Sequence, residues 1–216
     1  MKRPAVIIFL GPPGIGKGTQ ATKVAKALHI PHISTGDILR ENIKMQTQLG
    51  NQTKALIEAG KLVPDDLICK MIGKRVEESD CTQGYILDGF PRTIQQALWL
   101  EEFLDGKSSL KVISYVASDE TIVVRLCGRL TCKTCGQSYH KTFSPPKEEG
   151  ICDACSGELV QRKDDQEQVI RERLAVYEKQ TAPLIDFYLE RGIIETISCE
   201  TSIDKIFDET VKKLKK

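Results

Sequence analysis

The chain has 216 residues, of which 40% are hydrophobic, and its 31 Lys and Arg nearly balance its 30 Asp and Glu. This length supports one main core with small insertions and excludes two large independent domains. The near-neutral charge argues against nucleic acid or an anionic membrane as the main partner, so any strong phosphate binding must be local.

The predicted elements begin with a buried strand, because residues 6–10 form a continuous β-branched and aromatic run. This run is too short to span a membrane or to act as a signal sequence, and we expect a cytoplasmic protein. A helix should follow over about residues 17–28, where apolar residues recur at helical spacing. Short apolar runs at residues 85–87, 112–116 and 193–197 alternate with further helical patterns. This alternation predicts an α/β fold with a parallel sheet and right-handed crossovers.

A glycine-rich loop joins the first strand to this helix. Its sequence over residues 11–19, GPPGIGKGT, contains the G-x-x-x-x-G-K pattern in which backbone N–H groups and a helix N-terminus bind phosphate. We expect Lys17 to place its ammonium group against the β- and γ-phosphates. Many such loops carry a hydroxyl that ligates Mg²⁺ directly after the lysine, whereas here Gly18 stands between Lys17 and Thr19. Magnesium should therefore be held largely by the nucleotide and by water.

Two segments interrupt the alternation of strands and helices. Residues 34–63 show no strand signal, only short polar helical patterns between glycines, which predicts a small helical insertion. Residues 129–162 are rich in Cys, Gly, Pro, Ser and Lys and are too polar to bury a core unaided. After them, Asp165 and Gln168 offer an N-cap and a capping-box partner for a long helix that includes Tyr177.

Four of the eight cysteines form two Cys-x2-Cys pairs within the second of these segments. The spacing between the pairs is typical of ribbons in which two turns supply four thiolates to one tetrahedral Zn²⁺. Since no ligand position is left for a reactive water, the zinc would be structural. Disulfides and a redox-active pair are the alternatives, and a reducing compartment and the lack of a thioredoxin-like site count against them. The predicted zinc ligands are Cys132, Cys135, Cys152 and Cys155.

Four motifs carry a resemblance to a known family. They are GPPGIGKGTQ at residues 11–20, Ser34-Thr35-Gly36-Asp37, Asp88-Gly89-Phe90-Pro91-Arg92 and Arg162-Lys163-Asp164-Asp165. Their order and spacing resemble the adenylate kinase family over nearly the whole chain. The resemblance implies a P-loop nucleoside monophosphate (NMP) kinase fold with a five-stranded parallel sheet flanked by helices. The implied domains are a core of residues 1–33, 64–127 and 166–216, a helical NMP-binding insertion of residues 34–63 and a zinc-binding lid of residues 128–165.

The resemblance also implies the reversible reaction ATP + AMP = 2 ADP with Mg²⁺, and roles for individual residues. Phosphoryl transfer needs positioned positive charge, and the planar guanidinium of arginine binds two phosphate oxygens at once. Catalysis would use Lys17, Arg92, Arg129, Arg162 and Arg173, with Asp88 orienting magnesium-bound water. The ATP site would comprise Gly14, Ile15, Gly16, Lys17, Gly18, Thr19, Arg125, Arg129, Ser138 and Tyr139. The AMP site would comprise Thr35, Arg40, Lys61, Leu62, Val63, Gly89, Phe90, Pro91, Arg92, Gln96, Arg162 and Arg173.

For some of these residues, the local sequence offers a further argument for the role or an alternative role. Arg125 and Arg129 are four residues apart at a predicted helix end and should share a face. Between the two lid residues, Tyr139 is favoured over its neighbour as the ATP contact. Thr35 and Gln96 would hydrogen-bond adenine, although Thr35 could instead be the N-cap of a helix.

The main competing function is a kinase for UMP or CMP, which shares the P-loop and the Asp-Gly-Phe-Pro-Arg motif. The long lid and the pair of Thr35 and Gln96 favour AMP, and a GTP-preferring donor site is a further variant. A nucleic-acid-binding zinc ribbon would carry a basic stripe with interleaved aromatics, which the balanced charge and the 6% aromatic content argue against. We expect a monomer whose partners are ATP, AMP and ADP, with no nucleic acid and no membrane.

Overall fold

The computed structural model describes residues 4–106 and 108–215. Its strands are β1 (Ala5–Leu10), β2 (His32–Ser34), β3 (Gly84–Asp88), β4 (Ser109–Val116), β5 (Arg129–Cys132), β6 (Ser138–His140), β7 (Leu159–Val160) and β8 (Ile194–Ser198). Its α-helices are α1 (Lys17–Leu28), α2 (Thr35–Lys44), α3 (Gln48–Glu58), α4 (Asp65–Val76), α5 (Ile94–Leu104), α6 (Asp119–Cys127), α7 (Glu167–Val176), α8 (Leu184–Glu190) and α9 (Ile203–Leu214). A membrane crossing needs a longer and more apolar helix than any found in the described residues.

The main sheet has five parallel strands in the order β2-β3-β1-β4-β8, which confirms the predicted α/β class. Its central strand β1 is buried on both faces, as the continuous apolar run predicts. Val6 and Ile8 pack into a cluster with α4, α5 and α8, whereas Ile7 and Phe9 pack into a second cluster with α1, α6 and α9. Because the strands are parallel, their carboxyl ends meet at one edge, where α/β proteins bind ligands.

In the main sheet, β2 is the strand that local sequence patterns do not reveal. It has three residues, His32–Ser34, which are too few to produce a recognisable apolar run. It pairs with β3 in register from His32 opposite Ile86 to Ser34 opposite Asp88. The pairing brings the start of α2 to the carboxyl edge of the sheet, beside the end of β3.

Two small units project from this edge. Helices α2 and α3 occupy the segment between β2 and α4, in agreement with the predicted helical insertion. The second unit is a three-stranded antiparallel sheet in the order β6-β5-β7. It has a small core of its own, made by Cys132, Tyr139, Cys152 and Leu159.

The predicted capping box at the start of α7 is wrong. Gln166 is the N-cap and has no side-chain capping hydrogen bond. Asp165 is fully buried, and its carboxylate accepts hydrogen bonds from two arginines instead. The predicted long helix is also interrupted, since α7 ends at Val176 and a π-helical turn leads to Pro183, which has no N–H to continue the helical hydrogen bonds.

Candidate active site

The phosphate loop connects β1 to α1 at the carboxyl edge of the sheet. Gly16 is the N-cap of α1 and has φ 108°, a left-handed conformation that favours glycine. Gly14 has φ 80°, and a Cβ there would lie 2.4 Å from Leu126. Ile15 between them is buried, and Thr19 is exposed in the first turn of α1. A glycine-rich loop that leads into a helix N-terminus in this way is an anion-binding arrangement.

Lys17 folds back over this loop. Its Nζ donates to the carbonyl oxygens of Gly11 at 2.6 Å and of Pro12 at 2.8 Å. Burial lowers the pKa of the Lys17 ammonium to about 8; the charge of Asp88 opposes this shift, and the charge of Arg92 adds to it. Arg173 and Arg129 also contribute to the shift, so the structure brings four of the five predicted catalytic cations close together. A bound phosphate would relieve their mutual repulsion.

Two aspartates organise this arginine cluster. Arg129 Nε donates to Asp165 Oδ2 at 2.7 Å, and its Nη2 donates to the other oxygen of the same carboxylate. Arg173 Nη1 contacts Asp165 at 3.1 Å and Asp164 Oδ2 at 3.0 Å. Burial alone would raise the pKa of Asp164, but the charges of Arg173 and Arg129 hold it below its usual value. Both aspartates lie in the fourth motif, but the sequence analysis gave neither of them a role in positioning the arginines.

Arg125 and Arg129 do not share a helix face. Helix α6 ends at Cys127, and Arg129 is the first residue of β5. The Arg125 guanidinium instead donates to the carbonyl oxygens of Ile15 at 3.1 Å and of Cys199 at 2.7 Å. It therefore ties the phosphate loop to the residue that follows β8.

Arg162 contacts strand β5 of the small antiparallel sheet, whereas Arg40 belongs to α2. Arg162 Nε donates to Thr131 Oγ1 at 2.8 Å. Burial and the charges of Arg40 and Arg129 lower the pKa of Arg162 to about 9. Arg40 pairs with Asp37 one turn earlier in α2, at 2.5 Å. The two guanidinium groups are therefore close enough for their charges to interact.

A cleft lies between α2, the residues that precede α4 and the start of α5. The predicted AMP residues that line it are Thr35, Arg40, Lys61, Leu62, Val63, Gly89, Arg92, Gln96 and Arg173. Phe90, Pro91 and Arg162 do not line it: Phe90 is fully buried with its ring edge-on to Trp99, and Pro91 is also buried. The lining residues that sequence reasoning missed are Gly36, Leu39, Ile57, Gly60, Ile68 and Asp164, most of which are apolar or glycine and look like core or turn residues in a sequence.

Thr35 and Gln96 sit at the wall of this cleft. Thr35 is not the N-cap of α2, because Ser34 has that role and its Oγ accepts from the Asp37 N–H at 3.2 Å. The Thr35 hydroxyl donates to the Gly89 carbonyl at 2.9 Å. Gln96 is buried, and its amide contacts both Arg92 and Asp65.

Asp88 ends β3 beside the phosphate loop, where a Cβ on Gly18 would lie 3.4 Å from its carboxylate. His32 Nε2 is 3.2 Å from Asp88 Oδ2. Burial alone would raise the pKa of Asp88, but the hydrogen bond with His32 and the charge of Lys17 hold it below its usual value. An ionised carboxylate next to the phosphate position is suited to bind the water shell of Mg²⁺.

The sequence model of the adenylate kinase family matches residues 9–193, which include both the phosphate loop and the cleft. The chain belongs to the adenylate kinase family. It is 49% identical to the adenylate kinase of Methanococcoides burtonii over 210 residues, which cover 96% of this chain and 97% of that protein. It is 50% identical to the adenylate kinase of Clostridium botulinum strain 657 over 203 residues, which cover 93% and 94%. Adenylate kinases catalyse ATP + AMP = 2 ADP, so the protein is a nucleoside monophosphate kinase with ATP, AMP and ADP as its substrates.

This adenylate kinase carries a compact four-cysteine cluster in its small antiparallel sheet. The sulfur atoms of Cys132, Cys135, Cys152 and Cys155 all lie within 4.8 Å of one another, and the shortest separations are 3.5 and 3.6 Å. Four sulfurs at about 2.3 Å from a tetrahedral Zn²⁺ would be about 3.8 Å apart. A disulfide would require about 2.05 Å. The geometry therefore fits a metal and not a pair of disulfides.

The backbone around the cluster fits a metal as well. Two equivalent turns carry the cysteines: Gly136 N–H donates to the Cys132 carbonyl, and Ser156 N–H donates to the Cys152 carbonyl. The Tyr139 hydroxyl lies 3.5 Å from the Cys152 sulfur. This hydrogen bond lowers the pKa of the Cys152 thiol, whereas the neighbouring thiols raise the pKa of Cys155.

The hydroxyl of Tyr139 is therefore already engaged at the cysteine cluster. Its side chain is buried in the lid core, and its hydroxyl accepts from the Asp153 N–H at 2.9 Å. Of the two lid residues predicted to contact ATP, only Ser138 is exposed. The Tyr139 ring completes the small core around the cysteines, and contact of Ser138 or Tyr139 with ATP stays a prediction.

Proposed function

We propose that adenylate kinase chemistry takes place between the phosphate loop, which would bind MgATP, and the cleft beside α2, which would bind AMP. The observation that carries this proposal is that Arg92 and Arg173 belong to both regions. They line the cleft, and their charges act on Lys17 in the phosphate loop. The two phosphate positions would therefore adjoin, as transfer between them requires.

In this proposal, cations do most of the catalytic work. Lys17 would bind the β- and γ-phosphates, and Arg40 and Arg92 would bind the AMP phosphate. Arg129, Arg162 and Arg173 would surround the transferring group, with Arg129 and Arg173 held in place by Asp164 and Asp165 and Arg162 by Thr131. Bound Mg²⁺ would neutralise charge on the ATP phosphates, with its water shell oriented by Asp88. No general base is needed, because the AMP phosphate is already anionic at neutral pH.

We further propose three moving parts: the core, the insertion of residues 34–63 and the lid of residues 128–165. In the structure, the insertion touches the lid region through Lys163 Nζ and Glu58 Oε1 at 3.0 Å and through Lys44 Nζ and the Lys133 carbonyl at 3.3 Å. Such contacts would help to close the site over its substrates and exclude water. Both substrate sites are built from one chain, which supports a monomer. The free thiols support a reducing cytoplasm.

The substrate assignment is tested with a panel of nucleotides. With ATP as donor, AMP should have a far higher kcat/KM than UMP or CMP, and with AMP as acceptor, ATP should be preferred over GTP. Equal or greater use of UMP or CMP would reassign the cleft to a pyrimidine nucleotide.

Replacing Arg92 with alanine should weaken AMP binding by about 10- to 100-fold and ATP binding far less. The AMP phosphate would lose a charge-assisted, bidentate partner, and such hydrogen bonds are among the strongest in proteins. Calorimetric titration of each nucleotide separately measures both constants. Arg171→Ala, which removes an arginine that pairs with Glu167 on the surface of α7, is the matched control. An equal loss for ATP and AMP would move Arg92 out of the acceptor site.

ATP binding near pH 8.5 should take up protons from solution. The pKa of Lys17 is about 8 without nucleotide, so at this pH much of it is neutral, and bound phosphate raises the pKa again. Calorimetry in buffers with different ionisation enthalpies measures the uptake, which should shrink toward pH 6.5 and disappear in Lys17→Met. The same uptake in Lys17→Met would assign the proton to another group.

A further inference from the structure

The amide of Gln96 has a defined orientation, because one end contacts a group that can only accept a hydrogen bond and the other end contacts a group that can only donate one. The Gln96 Nε2 lies 2.7 Å from Asp65 Oδ1, and a carboxylate only accepts. The Gln96 Oε1 lies 2.8 Å from the Arg92 backbone nitrogen, which only donates. These two contacts fix which end of the amide is nitrogen and which is oxygen.

Asp65 is itself held in place. It is the first residue of α4, two residues after Val63 in the cleft wall, and is partly buried. Its second oxygen accepts from the Thr93 hydroxyl at 2.9 Å, while Thr93 Oγ1 accepts from the Gln96 N–H at 3.1 Å as the N-cap of α5. Asp65 does not line the cleft, and its direct contact with a residue that does is the hydrogen bond from Gln96.

One N–H and one lone pair of the Gln96 amide remain for a ligand, since the amide has two of each. Gln96 lines the cleft, so a bound base would meet these two groups. Adenine presents an amino group beside a ring nitrogen that accepts, and it matches this orientation. Hypoxanthine presents a carbonyl oxygen beside a ring N–H, and it would match only the flipped amide.

We propose that Asp65 is a positioning residue that determines base specificity. It holds the Gln96 amide in the orientation that forms hydrogen bonds with adenine. Flipping the amide would set its oxygen against the Asp65 carboxylate and its NH₂ group against the Arg92 N–H. Both contacts would be repulsive, so the flipped amide is disfavoured. Because a 6-oxopurine needs the flipped amide, the network selects against it as well as binding adenine. This inference rests on the proposed position of the AMP base in the cleft.

The test is the ratio of kcat/KM for AMP to kcat/KM for inosine monophosphate, which differs from AMP only at this edge of the base. In Asp65→Asn, the new amide can accept from the Gln96 nitrogen or donate to the Gln96 oxygen, so it no longer opposes the flip. We expect the ratio to fall about tenfold, mainly through improved use of inosine monophosphate, with the KM for ATP unchanged. Because both substrates are compared on one variant, the ratio does not depend on the fraction of folded enzyme.

Asp66→Asn is the matched control, since it removes the same charge from the exposed neighbouring position of α4 and should keep the wild-type ratio. Gln96→Ala should also lose discrimination. A wild-type ratio in Asp65→Asn, together with a reduced ratio in Gln96→Ala, would overturn the role of Asp65 and leave the base site intact. An unchanged ratio in Gln96→Ala would overturn the inference together with the proposed position of adenine.

Discussion

Lys17→Met should lower kcat by at least about 10²- to 10³-fold while the protein stays folded. The ammonium group is within reach of the phosphate loop, and its charge matters most as negative charge develops between the β- and γ-phosphates. The loop should keep its shape, because Gly14 and Gly16 hold their left-handed conformations independently of this side chain. The substitution loses the hydrogen bonds to Gly11 and Pro12 and the attraction to Asp88, but it also removes the repulsion from three nearby arginines, so we expect only a small change in stability.

Steady-state ADP formation, together with circular dichroism and a thermal melt, measures these effects. Lys26→Met is the matched control, because Lys26 lies exposed in the last turn of the same helix and should be replaceable without loss of turnover. Turnover close to wild type in a folded Lys17→Met protein would show that Lys17 does not stabilise the transition state.

Cys132→Ser should abolish or sharply reduce stoichiometric zinc and lower the melting temperature, while measurable transfer between ATP and AMP persists at low temperature. Cys132 is buried in the lid core, and its sulfur is one of four whose spacing fits a metal ion. Without metal, the polar lid has little apolar core to keep it folded, so it should loosen before the main sheet melts. The arginines and the phosphate loop lie outside the cysteine cluster.

Metal analysis, calorimetric melting and kinetics over a range of temperatures test this prediction. Cys127→Ser is the control, since it removes an exposed thiol at the end of α6, outside the cluster. A purely structural role for the metal would be contradicted by a metal-free enzyme that is folded and binds both nucleotides, yet shows no transfer at any temperature.

Most of the fold could be predicted from local patterns. The run in β1, the glycine loop before α1 and the paired cysteines each extend over only a few consecutive residues, and their chemistry depends on neighbours in the chain. The same holds for the helical character of residues 34–63. The family resemblance added the fifth strand, β2, which its three residues do not reveal.

The positions of the polar side chains around the site could not be predicted in this way. Asp165 stands where an N-cap is expected, but Arg129 reaches it from 36 residues away. The sequence analysis places Tyr139 at the ATP site, and in the structure its hydroxyl lies against Cys152. A local pattern shows what such a side chain can do, and the tertiary structure decides which of its possible partners comes close.

The sequence by itself therefore determined the family, the phosphate loop and the four-cysteine cluster of this protein. Only the tertiary structure decided that Asp164 and Asp165 pair with Arg129 and Arg173 and that Asp65, 31 residues before Gln96, accepts a hydrogen bond from its amide. The physical reason is the cost of burial: a charged or amide group that leaves water must find a hydrogen-bonding partner. In a folded chain, that partner often comes from a distant segment.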